Sequence, residues 1–341
     1  MKVLIVKTSS MGDLIHTFPA LTDAGRMIPG ITFDWVVEEA FAEIPSWHPL
    51  VNKVIPIALR RWRKHFLTRK TWQEWNHFRN TLRATTYDLI IDAQGLLKSA
   101  FITLHAKGKR VGFDAYSARE SLAAIFYKKT FFVEKKNQHA ITRLRHLFAK
   151  SLDYEPFITM PEYGLDEFNR SSGGKNIHDT NYVIFLHGTT WSTKHWPESA
   201  WIELTKIVVA KGIKIKLPWG NKTEEERAQR IAAVSPQVSV LPRQNLLGIA
   251  NILAGAKAVV AVDTGLLHLS AALGIPSVSL YGSTDPTLSG ALGVSQVHLA
   301  ASFACAPCLR RECIYKQQSD FPPCFATITP IQVWAELEKF F

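Results

Sequence analysis

Asp13 is the first side chain along this sequence whose type and position can do chemistry. It ends a small-residue loop at residues 7–13 (KTSSMGD), which follows a short apolar run at residues 3–6. A carboxylate at the end of such a loop can serve as a general base, an effect typically of about 10²- to 10⁴-fold in rate. Alternatively, Asp13 only stabilises the start of the following helix, by about 0.3 to 1 kcal/mol. The residue taken alone leaves both interpretations open.

The second half contains two polar loops, each between an apolar run and a helical pattern. The first, at residues 188–197 (GTTWSTKHWP), brings hydroxyls and Lys194 to the start of a helix. The second, Asp263-Thr264-Gly265, follows the apolar run at residues 258–262. Lysine, hydroxyl and free backbone N–H groups at a helix start are groups that bind phosphate. The first loop by itself is equally well an ordinary polar loop, but the pair favours a nucleotide diphosphate sugar.

Several common nucleotide and metal motifs are missing from these loops. Residues 7–13 contain one glycine and match neither G-x-G-x-x-G nor G-x-x-x-x-G-K-[ST], which argues against a dinucleotide site and a P-loop there. No D-x-D motif, which metal-dependent sugar transferases use, is evident in either half. We therefore expect no catalytic metal and no cofactor, with Lys194 supplying positive charge to the diphosphate.

A run of basic residues interleaved with aromatic ones lies at residues 60–70. It contains six lysines and arginines, Trp62, Phe66 and no carboxylate. Such a run is typical of a solvated helix face, and its aromatic residues also fit nucleic-acid binding. Guanidinium groups that bind the carboxylates and phosphates of an acidic glycolipid are a third interpretation, which we favour. The basic residues are Arg60, Arg61, Arg63, Lys64, Arg69 and Lys70.

All four cysteines lie near the C-terminus, in the pattern Cys305-x₂-Cys308-x₄-Cys313-x₁₀-Cys324. They are too few and too local for a disulfide scaffold. Four thiolates on one loop can hold zinc or an iron–sulfur cluster, and reduced structural cysteines fit the pattern equally well. Because the cluster follows the loop at Asp263, we assign it no catalytic role.

The elements that position these side chains alternate between short apolar runs and helical patterns. This alternation predicts two doubly wound α/β domains with parallel sheets. The predicted domains cover residues 1–160 and 181–325, joined by a linker at 161–180 with its hinge at 171–174, and an amphipathic helix at 326–341 is expected to pack onto the first domain. The nine predicted strands lie at residues 3–6, 33–37, 54–56, 89–92, 182–187, 213–217, 238–241, 258–262 and 277–281.

Composition restricts the class of protein and of partner. The chain of 341 residues is 47% apolar and contains no uninterrupted apolar run of about 18 residues, so we expect no transmembrane helix. Lys7 interrupts the first apolar run too early for a secretion signal, which predicts a cytoplasmic protein. The net charge of +11 favours an anionic partner: nucleic acid, an acidic membrane surface or a phosphorylated substrate.

The segments around these loops resemble the ADP-heptose:LPS heptosyltransferases, glycosyltransferase family 9. The resemblance rests on residues 6–24 (VKTSSMGDLIHTFPALTDA), 34–39 (DWVVEE), 60–64 (RRWRK) and 92–96 (DAQGL), and it continues through about the first 300 residues. Residues 34–39 and the basic run favour the heptosyltransferase I group. The resemblance implies a GT-B fold, in which two Rossmann-like domains face a central cleft, the first binding the acceptor and the second the nucleotide sugar.

The resemblance also implies a role for individual residues. Asp13 matches the general base, and Glu224 matches an acid that binds the ribose of the nucleotide. For His268, a satisfied and partly buried histidine is the alternative to a donor role. The other implied donor-binding residues are Thr189, Thr190, Lys194, Asp263, Thr264 and Gly265, and the implied acceptor-binding residues are Ser10, Gly12, Arg60, Arg61, Arg63, Lys64, Lys98 and Arg119.

The implied reaction moves L-glycero-D-manno-heptose from ADP-heptose to the Kdo region of lipid A, with inversion in a single displacement. The basic run would also hold the enzyme on the cytoplasmic leaflet of the inner membrane, at about 1 kcal/mol per basic residue. One alternative is heptosyltransferase II or a related transferase with another LPS acceptor. A basic nucleic-acid-binding protein is an alternative from a different class, but it leaves Asp13 and the two phosphate-binding loops unexplained, so we expect no nucleic acid partner.

Overall fold

The computed structural model describes residues 1–166, 168, 181–315 and 321–341. The chain divides into two compact units, Met1–Leu165 and Asp166–Phe341. The division falls at the beginning of the segment expected to be a linker, 161–180. The expected hinge at residues 171–174 lies outside the described residues.

The first unit is built on a six-stranded parallel sheet. Its strands are β1 (Lys2–Val6), β2 (Thr32–Glu38), β3 (Val51–Ile57), β4 (Thr86–Asp92), β5 (Lys107–Phe113) and β6 (Lys129–Phe131). Its α-helices are α1 (Met11–Ile15), α2 (Phe18–Met27), α3 (Leu59–Trp62), α4 (Arg69–Arg83), α5 (Leu97–Thr103) and α6 (Ala140–Leu152).

The second unit repeats this plan with another six-stranded parallel sheet. Its strands are β7 (Tyr182–Leu186), β8 (Lys214–Leu217), β9 (Val238–Val240), β10 (Ala258–Val262), β11 (Ser277–Tyr281) and β12 (Gln296–Ala300). The α-helices of its described part are α7 (Glu198–Val209), α8 (Lys222–Ala232), α9 (Leu246–Ala254), α10 (Gly265–Ala272), α11 (Pro286–Ser289) and α12 (Pro330–Leu337).

The two sheets have the same strand order. It is β3-β2-β1-β4-β5-β6 in the first unit and β9-β8-β7-β10-β11-β12 in the second. The order therefore reverses between β1 and β4 and again between β7 and β10. In open parallel sheets, ligands bind beyond the carboxyl ends of the strands at this switch point. The loops that follow these four strands are consequently the places to look for a functional site.

Burial on both faces explains why the central strands were legible in the sequence. Residues Val3 to Val6 in β1 and all of β10 are fully buried, so each reads as a continuous apolar run. On one face of the first sheet, Leu4 and Val6 pack with Trp62 and with helix α4. All nine predicted strands are present in the structure.

Three strands were missed, and each carries polar residues. The sequence of β5 is KGKRVGF, with exposed lysines at positions 107 and 109, and β12 reads QVHLA. β6 and β12 are edge strands, which lack the apolar signature of a strand covered on both sides. The single helix expected after the first loop is two helices, α1 and α2, and Pro19 stands in the first turn of the second, where its missing N–H removes no helical hydrogen bond.

The C-terminal helix α12 packs in the core of the second unit. Val333 and Leu337 are fully buried there together with Trp201 of α7. Packing of this segment onto the first domain stays a prediction. The indole N–H of Trp196 also donates to the carbonyl of Ile328 at 3.0 Å. The apolar face that the sequence showed is thus covered within its own unit.

Candidate active site

Asp13 lies at the switch point of the first sheet, in helix α1 directly after β1. Its carboxylate accepts hydrogen bonds from the backbone N–H and the hydroxyl of Ser10, both at 2.9 Å. Burial raises the pKa of Asp13, but the ammonium of Lys7, the bonds from Ser10 and the charge of Arg119 outweigh it, so the net pKa is lowered. The carboxylate is therefore ionised at neutral pH and can accept a proton.

The loop after β4 holds the Asp13 loop in place. The buried Lys7 ammonium donates to the carbonyl of Ala93 at 2.9 Å. The backbone N–H and hydroxyl of Thr8 donate to the side-chain oxygen of Gln94 at 2.8 and 2.9 Å. These bonds join the two strands that flank the switch point, so the position of Asp13 depends on residues about 80 positions further along the chain.

Asp92 ends β4 and organises the turn that follows. Its buried carboxylate accepts bonds from the backbone N–H groups of Gln94 and Gly95, at 2.8 and 3.1 Å, and from the hydroxyl of Tyr127 at 2.7 Å. Burial is the largest effect on this carboxyl and raises its pKa. Asp92 therefore has a structural role in shaping the turn.

The basic run does not present all of its charges to solvent. Arg61 forms a two-point ion pair with Glu39, at 2.9 and 3.0 Å, and a further bond to Glu74 at 2.8 Å. The guanidinium of Arg60 lies over the ring of Phe41. Arg63 and Lys64 are exposed. The run thus comprises the end of a short helix, α3, an exposed turn, and the first two residues of α4, Arg69 and Lys70, rather than one uniform charged face.

Two further basic residues predicted to bind an acceptor lie near the loops of the switch point. Arg119 is exposed, yet close enough to Asp13 to lower the pKa of its carboxyl. Lys98 is exposed in the first turn of α5, directly after the β4 loop. Lys98 in α5 therefore lies close to the end of β4, and Arg119 in the loop after β5 lies close to Asp13, which follows β1.

In the second unit, Asp263 is the centre of a buried polar cluster at the switch point. Its carboxylate pairs with the Lys194 ammonium at 2.7 Å and accepts a bond from the Thr284 hydroxyl at 2.7 Å. His268 lies one helical turn further on, with its Nε2 3.8 Å from the carboxylate. The structure thus brings together three residues predicted to bind the donor, Lys194, Asp263 and His268.

The charge state of this cluster follows from its contacts. Burial raises the pKa of Asp263. Hydrogen bonding to His268 and the charge of Lys194 together lower this pKa by more than burial raises it, so the carboxyl stays ionised. Thr189 donates from its hydroxyl to the Asp263 carbonyl at 3.0 Å, which joins the β7 and β10 loops. An ammonium held by one carboxylate at a switch point is available to a phosphate group that enters the site.

Glu224 lies beside two glycines of the same strand ends. Its carboxylate accepts a bond from the backbone N–H of Gly220 at 2.8 Å. A Cβ atom at Gly188 would lie 2.6 Å from the carboxyl carbon of Glu224. The side chain of Asn221 caps helix α8 at the N–H of Glu224. Absence of a side chain at Gly188 is thus what lets the Glu224 carboxylate approach the end of β7.

The remaining predicted donor-binding residues occupy the helix start after β10 and the β7 loop. Thr264 is the N-cap residue of α10 and Gly265 is its first residue, both half-buried, while Thr190 is exposed. The structure therefore gathers Thr189, Lys194, Asp263, Thr264, Gly265 and His268 around the ends of β7 and β10, with Glu224 beside the end of β7.

Comparison with known proteins identifies the family of a chain with these two sites. A model of glycosyltransferase family 9 (heptosyltransferase) matches residues 75–318. Lipopolysaccharide heptosyltransferase 1 of Pseudomonas aeruginosa is 50% identical to this chain, and the match covers 99% of the chain and 97% of that protein. The chain belongs to glycosyltransferase family 9.

Solved structures of a family 9 member agree with this assignment. The structure of Escherichia coli heptosyltransferase WaaC with ADP shares 47% sequence identity, covers 100% of both chains and gives a TM-score of 0.89. The structure of the same protein with ADP-2-deoxy-2-fluoro heptose shares 46% identity over 99% of each chain, with a TM-score of 0.86. The two doubly wound units are therefore those of the GT-B fold, as the sequence predicted.

Some residues of this family 9 chain gained importance only in the structure. In the sequence, Lys7 only marks the end of an apolar run. In the structure, its buried ammonium lowers the pKa of Asp13 more than any other group does. Thr284 gave no sequence signal. It follows β11, and its hydroxyl reaches the Asp263 carboxylate because β10 and β11 are neighbours in the sheet. Arg143 of α6, also missed, is half-buried and bonds the carbonyl of Ser117 near Arg119. Of these residues, only Lys7 carries a sequence signal that could have been used, because a lysine directly after a central apolar strand lies at the carboxyl end of the sheet.

The described residues contain neither a metal-binding cluster nor a membrane-spanning helix. Among the residues that the structure describes, no three His, Cys, Asp or Glu side chains stand close enough together to hold a metal ion. Within the same residues, no helix combines the length and the apolar character needed to cross a membrane.

Proposed function

We propose that this chain transfers L-glycero-D-manno-heptose from ADP-heptose to the Kdo region of lipid A in the synthesis of the lipopolysaccharide inner core. The observation that carries the proposal is Asp13, an ionised carboxylate at the switch point of the first sheet in a family whose members are heptosyltransferases. The relative with the near-full-length match is named lipopolysaccharide heptosyltransferase 1, which supports this reaction over that of heptosyltransferase II.

The proposed reaction is a single displacement that inverts the anomeric carbon. The acceptor hydroxyl oxygen forms a bond to that carbon while the bond from the carbon to the diphosphate oxygen breaks. The hydroxyl proton passes to the carboxylate of Asp13, and ADP leaves with the electron pair. A sugar hydroxyl has a pKa far above 7, so transfer of its proton during the attack lowers the barrier.

The second unit binds the donor in this proposal. The Lys194 ammonium exchanges its bond with Asp263 for one with the diphosphate and stabilises the charge that develops on ADP. Thr189, Thr190 and the helix start at Thr264 and Gly265 offer hydroxyl and N–H donors to the same phosphates. Glu224 accepts bonds from the ribose hydroxyls. Asp263, once released from Lys194, contacts the heptose together with His268.

The first unit binds the acceptor. Ser10 and Gly12 line the loop next to Asp13, and the exposed cations of this unit pair with the carboxylates and phosphates of the acidic glycolipid. Arg61 is already saturated by Glu39 and Glu74, so we infer that it positions the α3 turn. The residues proposed to contact the acceptor directly are Arg60, Arg63, Lys64, Lys98 and Arg119.

The same surface supports a peripheral location on the cytoplasmic leaflet of the inner membrane. Phe66, Leu67 and Trp72 are 61%, 81% and 58% exposed beside Arg63 and Lys64. Exposed aromatic and aliphatic side chains next to cations are typical of a surface that binds anionic lipid.

One experiment tests the proposal. Purified protein is incubated with ADP-heptose and Kdo₂-lipid A, and the product is identified by mass spectrometry, with its anomeric configuration determined by NMR. Addition of one heptose, with inversion, is the expected result. Transfer only to an acceptor that already carries heptose would instead establish the heptosyltransferase II reaction. Salt-dependent retention on DNA without any transfer would favour the nucleic-acid-binding alternative.

A further inference from the structure

Trp191, in the loop after β7, has no part in the reaction described so far. It precedes the turn of helix at Ser192–Lys194, and its side chain is half-buried. The Lys194 ammonium lies 4.4 Å from the centroid of its ring, and the guanidinium carbon of Arg311 lies 5.2 Å from the same centroid. A cation within about 6 Å of a tryptophan ring is attracted by the negative face of the ring. One indole therefore holds two cations that come from distant parts of the chain.

The two cations differ in how far their charge is already neutralised. The Lys194 ammonium pairs with the Asp263 carboxylate at 2.7 Å. Arg311 is exposed, and none of the ion pairs within residues 1–166, 168, 181–315 and 321–341 includes it. Lys194 and Asp263 neutralise each other, so Arg311 supplies the excess positive charge of this group.

Backbone contacts hold Arg311 beside the loop after β7. The Ser192 hydroxyl donates to the carbonyl of Arg311 at 3.0 Å, and the Thr193 hydroxyl donates to the carbonyl of Arg310 at 2.6 Å. Lys194 is the next residue after Thr193. The chain at Arg310 and Arg311 is thus bonded to the same short turn that carries the Lys194 ammonium.

A further backbone contact joins this segment to the loop after β11. The N–H of Leu309 donates to the carbonyl of Ser283 at 2.7 Å. Thr284, the next residue after Ser283, donates from its hydroxyl to the Asp263 carboxylate at 2.7 Å. Residues 309–311 are therefore bonded to two of the loops that surround Asp263, which determines where Arg311 leaves the backbone.

The charge of the proposed donor explains why a second cation is useful here. A nucleotide diphosphate sugar carries about two negative charges at neutral pH, and the charge on the diphosphate increases as ADP departs. Lys194 supplies one positive charge, which it shares with Asp263. A guanidinium group adds a second charge and can donate two hydrogen bonds to one phosphate group.

We propose that Arg311 is a second phosphate-binding residue of the donor site. The ring of Trp191 positions the Arg311 guanidinium and the Lys194 ammonium for one diphosphate. Trp191 is a positioning residue, because its ring contacts the two cations and not the substrate. The inference rests on the proposed function, since that function assigns the diphosphate to the ends of β7 and β10.

Binding of ADP tests the role of Arg311 without any transfer of heptose. Calorimetry of the full chain with ADP, and separately with adenosine, compares the wild type with Arg311→Gln and with the matched control Arg310→Gln. Arg310 is the neighbouring exposed arginine, but its side chain lines the cavity between Cys305, Cys308 and Cys313. Both variants remove one positive charge from the same loop, so only the location of the charge differs.

The expected result is that Arg311→Gln raises the Kd for ADP by about tenfold, because a charge-assisted bond to phosphate is lost. Its Kd for adenosine, which has no phosphate, is expected to stay unchanged. The control is expected to stay within about twofold of wild type for both ligands. Equal weakening of ADP binding in the two variants, or an unchanged Kd for ADP in Arg311→Gln, would overturn the proposal.

Substitutions of Trp191 test the positioning role. Trp191→Phe keeps an aromatic face and is expected to bind ADP within about threefold of wild type, whereas Trp191→Leu is expected to bind about tenfold more weakly. In the Trp191→Leu background, Arg311→Gln is expected to add less than about threefold, since residues that act together are not additive. A full tenfold effect of Arg311→Gln in both backgrounds would show that the ring does not position Arg311.

Steady-state kinetics separate this inference from the proposed function. Arg311→Gln is expected to raise the KM for ADP-heptose by about tenfold and to leave the KM for the lipid acceptor unchanged, and Arg311→Lys is expected to recover part of the loss. Heptose transfer with an unchanged donor KM in Arg311→Gln would refute the inference and leave the function intact. ADP binding that depends on Arg311, in a protein that transfers no heptose, would refute the function and leave Arg311 as a phosphate-binding residue.

Discussion

Asp13 illustrates how a single side chain gains a role from its surroundings. As a first-turn carboxylate it could simply stabilise helix α1, but the Lys7 ammonium and the Ser10 bonds hold it ionised at a switch point. The two interpretations predict different losses. A helix-start carboxylate contributes stability, whereas a general base contributes rate.

We predict that Asp13→Asn lowers kcat by about 10²- to 10⁴-fold, because the amide keeps the shape of the carboxylate but cannot accept the proton. Donor binding is expected to stay within about twofold of wild type, since the donor residues belong to the second unit. Turnover is measured with saturating ADP-heptose and donor binding by calorimetry. A folded variant with near-normal turnover would show that Asp13 is only a helix-start residue.

We predict that Gly188→Ala weakens binding of ADP-heptose. The new Cβ would stand 2.6 Å from the Glu224 carboxyl carbon, and a flexible side chain can move away at little cost to folding. Loss of a bond to a charged group costs about 1.5 to 3 kcal/mol, which corresponds to about 10- to 100-fold in Kd. Calorimetry with ADP-heptose and thermal unfolding are compared with those of Glu224→Gln. An unchanged Kd in both variants would separate Glu224 from the donor site.

At the scale of elements, His48 links helix α2 to the chain entering β3. It is buried, its Nδ1 accepts from the N–H of Leu50 at 3.2 Å, and its Nε2 lies 3.1 Å from the Thr22 hydroxyl. Burial lowers the pKa of His48 to about 4. Protonation would remove the acceptor at Nδ1 and place a charge in the core.

We predict that His48 makes the protein less stable as the pH falls from 7 to 5. The folded-state pKa of about 4 lies below the ordinary value of 6.5, so the unfolded chain binds the extra proton first and stability is lost as pH decreases through this window. The expected loss from this residue is about 2 kcal/mol. Denaturant unfolding is measured at both pH values for the wild type and His48→Asn, whose amide oxygen can still accept from Leu50. An identical pH dependence in the two proteins would contradict the assignment.

We predict that the donor loops make a catalytic metal unnecessary. Lys194 supplies a cation at the switch point of the second sheet, where a metal-dependent transferase would use Mg²⁺. We predict that transfer persists when EDTA is added at the start of the assay and that Mg²⁺ does not accelerate it. Lys194→Ala is expected to lose about 10²- to 10³-fold in kcat. Complete loss in EDTA that Mg²⁺ reverses would contradict this prediction.

At the scale of the whole molecule, the cations that make up the net charge of +11 have different effects, which depend on their neighbours. The exposed pair Arg63 and Lys64 lies beside exposed Phe66 and Leu67. Charge in such a setting contributes to membrane binding, whereas the same charge on a polar face mainly affects solubility.

We predict that the double substitution Arg63→Gln, Lys64→Gln weakens binding to vesicles of phosphatidylethanolamine and phosphatidylglycerol by about 30-fold, since each cation near an anionic surface contributes about 1 kcal/mol. The matched control is Lys107→Gln, Lys109→Gln, which removes two exposed lysines of β5. Sedimentation with vesicles that contain no lipid A separates this effect from acceptor binding. Equal weakening in both double variants would indicate a nonspecific effect of net charge.

The sequence by itself determined the central architecture of both units and the loops in which the proposed site residues lie. Strands β1, β7 and β10 are buried on both faces, so their residues had to be continuous apolar runs, and the small and polar residues that follow them had to be loops at the carboxyl ends. Asp13, Lys194 and Asp263 were legible for this reason. Edge strand β12 was not, because partial exposure removes the apolar pattern.

Only the tertiary structure decided which charges are available and which are already paired. Arg61 stood among five other cations in the basic run, yet Glu39 and Glu74 neutralise it from elsewhere in the chain. Lys194 and Thr284 meet Asp263 from distances of 69 and 21 residues along the chain. The C-terminal helix likewise buried its apolar face in its own unit. Residue type and local spacing determine what a side chain can do, but pairing depends on long-range contacts that no local pattern encodes.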